Sequence, residues 1–148
     1  MDIRVFLLGN CNMNQPRQEG GFQALRVLCA AAMRAAPDDF APFLDLAPLC
    51  RAEDKEGGAE AKAAAAAFGR YCDRVCSSAE WGGHPELLAL SKSLRVPIRV
   101  HAADPAEGTL VAGDWVRPPE TPPLELSYHK HFYALGEHYN STAPRRPP

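Results

Sequence analysis

The sequence predicts an α/β fold, a layered arrangement with helices first and most of its β-sheet in the C-terminal half. Two apolar stripes at helical spacing occupy the first half of the chain. A leucine-rich helix opened by a proline follows them, and from Val96 the pattern changes to strict alternation. At 148 residues the chain is long enough for one hydrophobic core but not for two.

The first helix is predicted in "FQALRVLCAAAMRAA", where Phe22, Leu25, Leu28, Cys29, Ala32 and Met33 recur at helical intervals. Pro37 ends it, because its ring removes a donor and crowds the preceding turn. "DDFAPFLDLAPLC" then reads as a turn-rich connector anchored by two buried aromatics, Phe40 and Phe43. Gly57 and Gly58 mark a loop, and the alanine run after them begins a second helix. Its stripe is Phe68, Tyr71, Cys72, Val75 and Cys76, a spacing of i, i+3, i+4, i+7, i+8. "EWGG" breaks this helix. In "HPELLALSKSL" Pro85 and Glu86 both suit a first helical turn, and Leu87, Leu88, Leu90 and Leu94 form the buried side. "VPIRVHA" sets Ile98 and Val100 against Arg99 and His101, as a half-buried strand does. "GTLVAG" is a short strand or hairpin arm. "LELSYH" alternates with Leu124, Leu126 and Tyr128 at one parity, and "HFYALGEHYNS" is a last strand turning at Gly136.

An apolar fraction of 46% with 23% charged residues is that of a globular protein. With a formal net charge of -2 there is no electrostatic footprint for nucleic acid; Arg145 and Arg146 are a two-residue basic patch in a proline-rich tail. No window approaches the roughly 20 apolar residues of a membrane span, and "MDIRVFLL" is too short for a secretory signal. Five cysteines without a disulfide rhythm point to a reducing compartment, with the cytosol expected.

Cys72 and Cys76 sit four apart on one helix face, but no second Cys or His pair falls at zinc-finger spacing. They and Cys29 read as small core hydrophobes, so no metal or cofactor is expected. Cys11 lies on no periodic face and follows Gly9 and Asn10. A cysteine nucleophile needs an imidazole or a helix N-terminus to lower its pKa, and a preceding glycine lets backbone N–H groups converge on an oxyanion. An exposed loop thiol is the plainer account of the same residues. His138 is followed two residues on by Asn140, and in a strand i and i+2 share a side. The amide can therefore orient the imidazole, as the third member of a Cys-His-Asn set does; a surface pair would have the same spacing.

Taken together, "YCDRVCSSAEWGGHPELLALSKSLRVPIRVHAAD" and "LELSYHKHFYALGEHYNS" resemble the OTU (ovarian tumour) family of cysteine deubiquitinases, and look closest to its OTU domain-containing protein 6 branch. The motif W-G-G-x-x-E-L-x-A-L-S and the terminal G-E-H-Y-N-S carry the likeness, with "LRVLCAAAMRAAPDDFAPFL" resembling the family's helix with its Asp-Asp-Phe exit. The resemblance implies an OTU-like (papain-like) fold over residues 1–141, with 142–148 as a Pro/Arg-rich tail. It implies ubiquitin or ubiquitin chains as partner and hydrolysis of the isopeptide bond at the ubiquitin C-terminus. It carries the general base onto His138, the residue that orients it onto Asn140 and the nucleophile onto Cys11. Backbone N–H groups of Gly9 and Asn10 would serve the oxyanion. Trp81, Gly82 and Gly83 would border the narrow ubiquitin tail, and Glu80, Glu86 or Glu137 would pair with its arginines. The plainer account of Trp81-Gly82-Gly83 is a core-filling tryptophan and two glycines that end a helix by reaching positive φ.

The front of the chain departs from the family pattern. Leu8 stands where the family usually has Asp, and "NMNQPRQEGG" replaces an aromatic and a basic residue leading into an apolar helix. Pro16 could open such a helix, but Gly20 and Gly21 would close it within about a turn. Two readings follow: a working deubiquitinase with an abbreviated catalytic loop, or a catalytically impaired OTU fold that binds ubiquitin as an interaction module. A papain-like thiol hydrolase acting on another substrate is a third.

Overall fold

Three helices and a four-stranded mixed sheet share one core in the computed structural model, which describes residues 21–55, 60–77, 80, 82–102, 109–113, 122–129 and 138–142. In chain order these are α1 (Gly21–Ala35), α2 (Glu60–Cys76), α3 (His84–Leu94), β1 (Ile98–Ala102), β2 (Thr109–Ala112), β3 (Leu124–His129) and β4 (His138–Ser141). The α/β class that the sequence predicts is the class observed.

Helix α1 packs against both α2 and α3. Its buried face is Leu25, Cys29, Ala30 and Met33 together with Arg26, while Leu28 and Ala32 lie at its margin. The apolar stripe is thus rotated toward Arg26, whose side chain is 1% exposed. The guanidinium earns that place by bridging a carbonyl in the last turn of α2 and one beyond it: Nη1 donates to Val75 O at 2.9 Å and to Glu80 O at 3.1 Å. The carbonyls at a helix C-terminus lack intrahelical donors, and the guanidinium supplies one here. Arg26→Met keeps the stem's volume and removes the donor. It is expected to destabilise the fold by about 2 kcal/mol in urea unfolding.

Four short 3₁₀ turns, Pro37–Asp39, Ala41–Phe43, Ala47–Leu49 and Ala52–Lys55, connect α1 to α2. Phe40 is fully buried, with Lys92 Nζ 5.3 Å from its ring centroid and the same ammonium paired with Asp39. Phe43, expected as a second anchor, is 73% exposed instead. Phe40 is the junction between two 3₁₀ turns, with φ -123° outside the helical range, so the eclipsed i, i+3 spacing of a continuous 3₁₀ helix does not relate Phe43 to it.

The stripe of α2 is as predicted: Phe68, Tyr71, Cys72 and Val75 are buried and Cys76 is half-buried. In α3, Leu87, Ala89 and Leu90 are buried, with Leu88 and Leu94 packed at the margin. Arg95 closes α3 in the left-handed conformation (φ 54°), its N–H bonded to Ser91 O. The buried Ser91 hydroxyl lies 2.7 Å from Val96 O and 3.0 Å from Ala112 O, which ties the helix end to β2.

The strand order is β2-β1-β3-β4, with β1 parallel to β3 and the two outer pairs antiparallel. Alternation along the strands gives the sheet two unlike faces. Ile98, Val100, Ala112, Leu126, Tyr128 and Tyr139 belong to the core or pack against it, and the Tyr128 and Tyr139 rings meet at 5.1 Å. The opposite parity carries Arg99, His101, Glu125, Ser127 and Asn140, all half-buried.

Candidate active site

The polar face of the sheet is organised along β3. Glu125 is held by two cationic or potentially cationic neighbours from β1: Arg99 Nη1 at 2.7 Å and His101 Nε2 at 2.6 Å. Farther along the same parity, Ser127 Oγ lies 3.2 Å from His129 Nε2. Strand β4 then adds the two C-terminal candidates. The register sets Asn140 opposite Ser127 and His138 opposite His129, so the His-x-Asn pair occupies one parity of a strand at one side of the described sheet.

The turn between α2 and α3 is fixed by a second buried ionisable group. Glu86, 1% exposed, accepts from Tyr71 Oη at 2.7 Å through Oε1 and from Gly83 N at 2.7 Å through Oε2. Burial pushes this carboxyl above its ordinary value, while the hydrogen bonds from Tyr71 and Gly83 pull the other way. The Tyr71 hydroxyl is pushed up as well, first by burial and then by the charge of Glu86. Two expectations are corrected here. Glu86 is not an acid available to a basic peptide tail, since both its oxygens are engaged inside the core. Gly83 does not end α2 at positive φ; it is the N-cap of α3 at φ -110°, with Glu86 at the third helical position reaching back to its N–H. Gly82 is half-buried, and Glu80 pairs with Arg74 at 2.9 Å. Trp81 and Glu137 lie outside the described residues.

Of the cysteines in the described residues, Cys29 and Cys72 are fully buried. Burial pushes the Cys29 thiol up, and the Cys72 thiol up to about 11. Neither is a thiolate at neutral pH, and neither is a nucleophile. Cys50 directs its thiol at Leu46 O, and Cys76 packs against the core. Gly9, Asn10 and Cys11 lie outside the described residues. Among the described residues no group of His, Cys, Asp or Glu is arranged to hold a metal ion, and no helix is long and apolar enough to cross a membrane.

Residues 8–139 match the family model described as an OTU-like cysteine protease. The chain belongs to the OTU family. It falls in the OTUD6 branch: it is 39% identical over 118 residues to the mouse protein named deubiquitinase OTUD6B, covering 80% of this chain and 35% of that one. It is 37% identical over 123 residues to mouse OTU domain-containing protein 6A, covering 82% and 37%. It is 31% identical over 125 residues to OTU domain-containing protein 2 of Saccharomyces cerevisiae, covering 84% and 34%. This OTU chain therefore spans about a third of the length of the curated relatives it matches. The matched span takes in Cys11 and His138, and Asn140 lies just past its end.

Two features of this region are not read from the sequence. The Glu86 bridge was signalled by the spacing Gly83-x-x-Glu86, a glycine-headed variant of the helix N-terminal box. The pairing of β3 with β4 was not signalled, because register between two short strands depends on the loop between them.

Proposed function

We propose that this chain is the catalytic domain of a thiol-dependent deubiquitinase that hydrolyses isopeptide bonds at the C-terminus of ubiquitin. Cys11 acts as nucleophile, His138 as general base and acid, and Asn140 as the residue that orients the imidazole. The observation that carries the reading is the position of His138 and Asn140 two apart on β4, in register with His129 and Ser127 of β3. The names of the relatives, deubiquitinase among them, support the substrate class. The chemistry of the described cysteines supports Cys11 by contrast, because the two thiols farthest inside are locked in the protonated form.

In this mechanism the Cys11 thiolate attacks the carbonyl carbon of ubiquitin's last glycine. The resulting oxyanion is met by backbone N–H groups of Gly9 and Asn10. The imidazolium of His138 gives its proton to the lysine amine as the C–N bond breaks, leaving a thioester on Cys11. The now neutral imidazole takes a proton from water, whose oxygen attacks the thioester; the carboxylate leaves and the thiol is restored. A reducing compartment such as the cytosol keeps that thiol available.

A specific observation favours the alternative, a catalytically impaired ubiquitin-binding module. In the sequence, Leu8 stands where the family usually has Asp, and Pro16, Gly20 and Gly21 interrupt the stretch after Cys11 where the family has an apolar helix. Without such a helix the thiolate would lose the stabilisation that a helix N-terminus supplies. A ubiquitin probe with an electrophile at its C-terminus separates the two. Labelling that maps to Cys11 and disappears in Cys11→Ala is expected. Binding of ubiquitin without labelling would establish the module in its place. Labelling by a general thiol reagent with no preference for ubiquitin would indicate a thiol hydrolase of another specificity.

A further inference from the structure

We infer that Ser127 and His129 on β3 are positioning residues for the His138–Asn140 pair, holding the imidazole of His138 in its working orientation. The inference rests on the reading of His138 as the general base and adds to it two residues that the His-x-Asn spacing does not include.

The argument is one of distances in an antiparallel pair. Residues i and i+2 on one strand are separated by two rises, roughly 6.5–7 Å. Residues directly opposite each other on neighbouring strands have Cβ atoms only about 4.5–5.5 Å apart. Ser127 is opposite Asn140 and His129 is opposite His138. Each member of the β4 pair is thus nearer to a polar residue of β3 than to its own partner. The register also puts His129 at the cross-strand position opposite His138.

The β3 residues are themselves fixed. Ser127 Oγ and His129 Nε2 are 3.2 Å apart in a partly buried contact, which restrains the His129 ring about its own side-chain torsions. The next polar residue on that parity, Glu125, is taken up by Arg99 and His101 on β1, away from β4. The backbone is pinned at the same place: Thr142 N bonds Glu125 O at 3.1 Å, extending the pairing past the end of β4. On the reverse face the Tyr128 and Tyr139 rings pack between the two positions, which keeps the register from slipping by one and exchanging the faces. Neither serine nor histidine is among the residues that strands favour, so propensity does not account for the pair.

The test combines turnover with a direct view of the ring. Cleavage of a reporter amide from the ubiquitin C-terminus is measured for the wild type, Ser127→Ala, Ser127→Thr, His129→Gln and His138→Ala. The ¹⁵N imidazole signals of His138, which report its tautomer, are recorded for the first four. The expected result is a kcat lowered about tenfold in Ser127→Ala and His129→Gln with KM unchanged, recovery in Ser127→Thr, and altered His138 signals in the two impaired variants. Wild-type kcat and unchanged His138 signals in both variants, while His138→Ala abolishes cleavage, would overturn the positioning role and leave the general base in place. If His138→Ala cleaves like the wild type, the base assignment fails. The nitrogen signals still decide whether Ser127 and His129 hold that ring, and unchanged signals overturn the inference there too. Should Ser127→Ala lose dispersed amide signals, Ser127→Thr and His129→Gln carry the comparison.

Discussion

His138→Ala is expected to lower kcat for cleavage of a ubiquitin C-terminal amide by about 100- to 10,000-fold, with KM little changed. The effect is large because in the proposed mechanism one imidazole serves three proton movements: it takes the thiol proton, gives a proton to the leaving amine and takes one from water. Losing it removes both the drive for forming the thiolate and the acid that lets the amine depart. Asn140→Ala removes only the orienting amide and is expected to cost less. Its half-buried position opposite Ser127 leaves β3 to restrain the ring in part. Steady-state kinetics on the two variants check this. A His138→Ala enzyme within twofold of the wild type would end the assignment, and a deeper loss for Asn140→Ala than for His138→Ala would reverse the roles.

Much of the scaffold was legible because burial repeats with the period of the element. The stripe of α2 and the alternation of Ile98 with Val100 survive into the structure unchanged. The failures lie where periodicity ends. Phe40 and Phe43 look alike in sequence, yet one is fully buried and the other 73% exposed. Their separation of three residues spans a break between two 3₁₀ turns, so no single helical period relates them. Arg26 interrupts the α1 stripe as a polar residue, and the carbonyls of Val75 and Glu80, about fifty positions away, help to make its burial favourable. Of the candidate site, the His138–Asn140 spacing was readable from two letters. The strand facing it was not, because β3 and β4 meet through a register that local composition does not encode.

The same logic makes Glu86 the residue whose loss should be felt most in stability. Glu86→Ala is expected to lower the unfolding free energy by roughly 3–5 kcal/mol, since it strands the buried Tyr71 hydroxyl and the Gly83 N–H and opens a cavity beneath the α2–α3 turn. Glu86→Gln should cost no more than about 1 kcal/mol, because its carbonyl can accept from Gly83 N–H while its amide donates to Tyr71 Oη. That arrangement copies the protonated acid. Burial is the dominant influence on the carboxyl and raises it above its ordinary value of 4.5, so the folded protein holds this proton more tightly than the unfolded chain does. Its contribution is therefore fully present below that ordinary value and is lost as pH rises through the folded one. Glutamine has no proton to lose. The wild type should accordingly lose ground to Glu86→Gln in urea midpoint as pH is raised from about 4 to about 8. A wild type that gains on the glutamine variant over that range would mean that the hydrogen bonds from Tyr71 and Gly83 outweigh burial, and that an ionised carboxylate holds the turn.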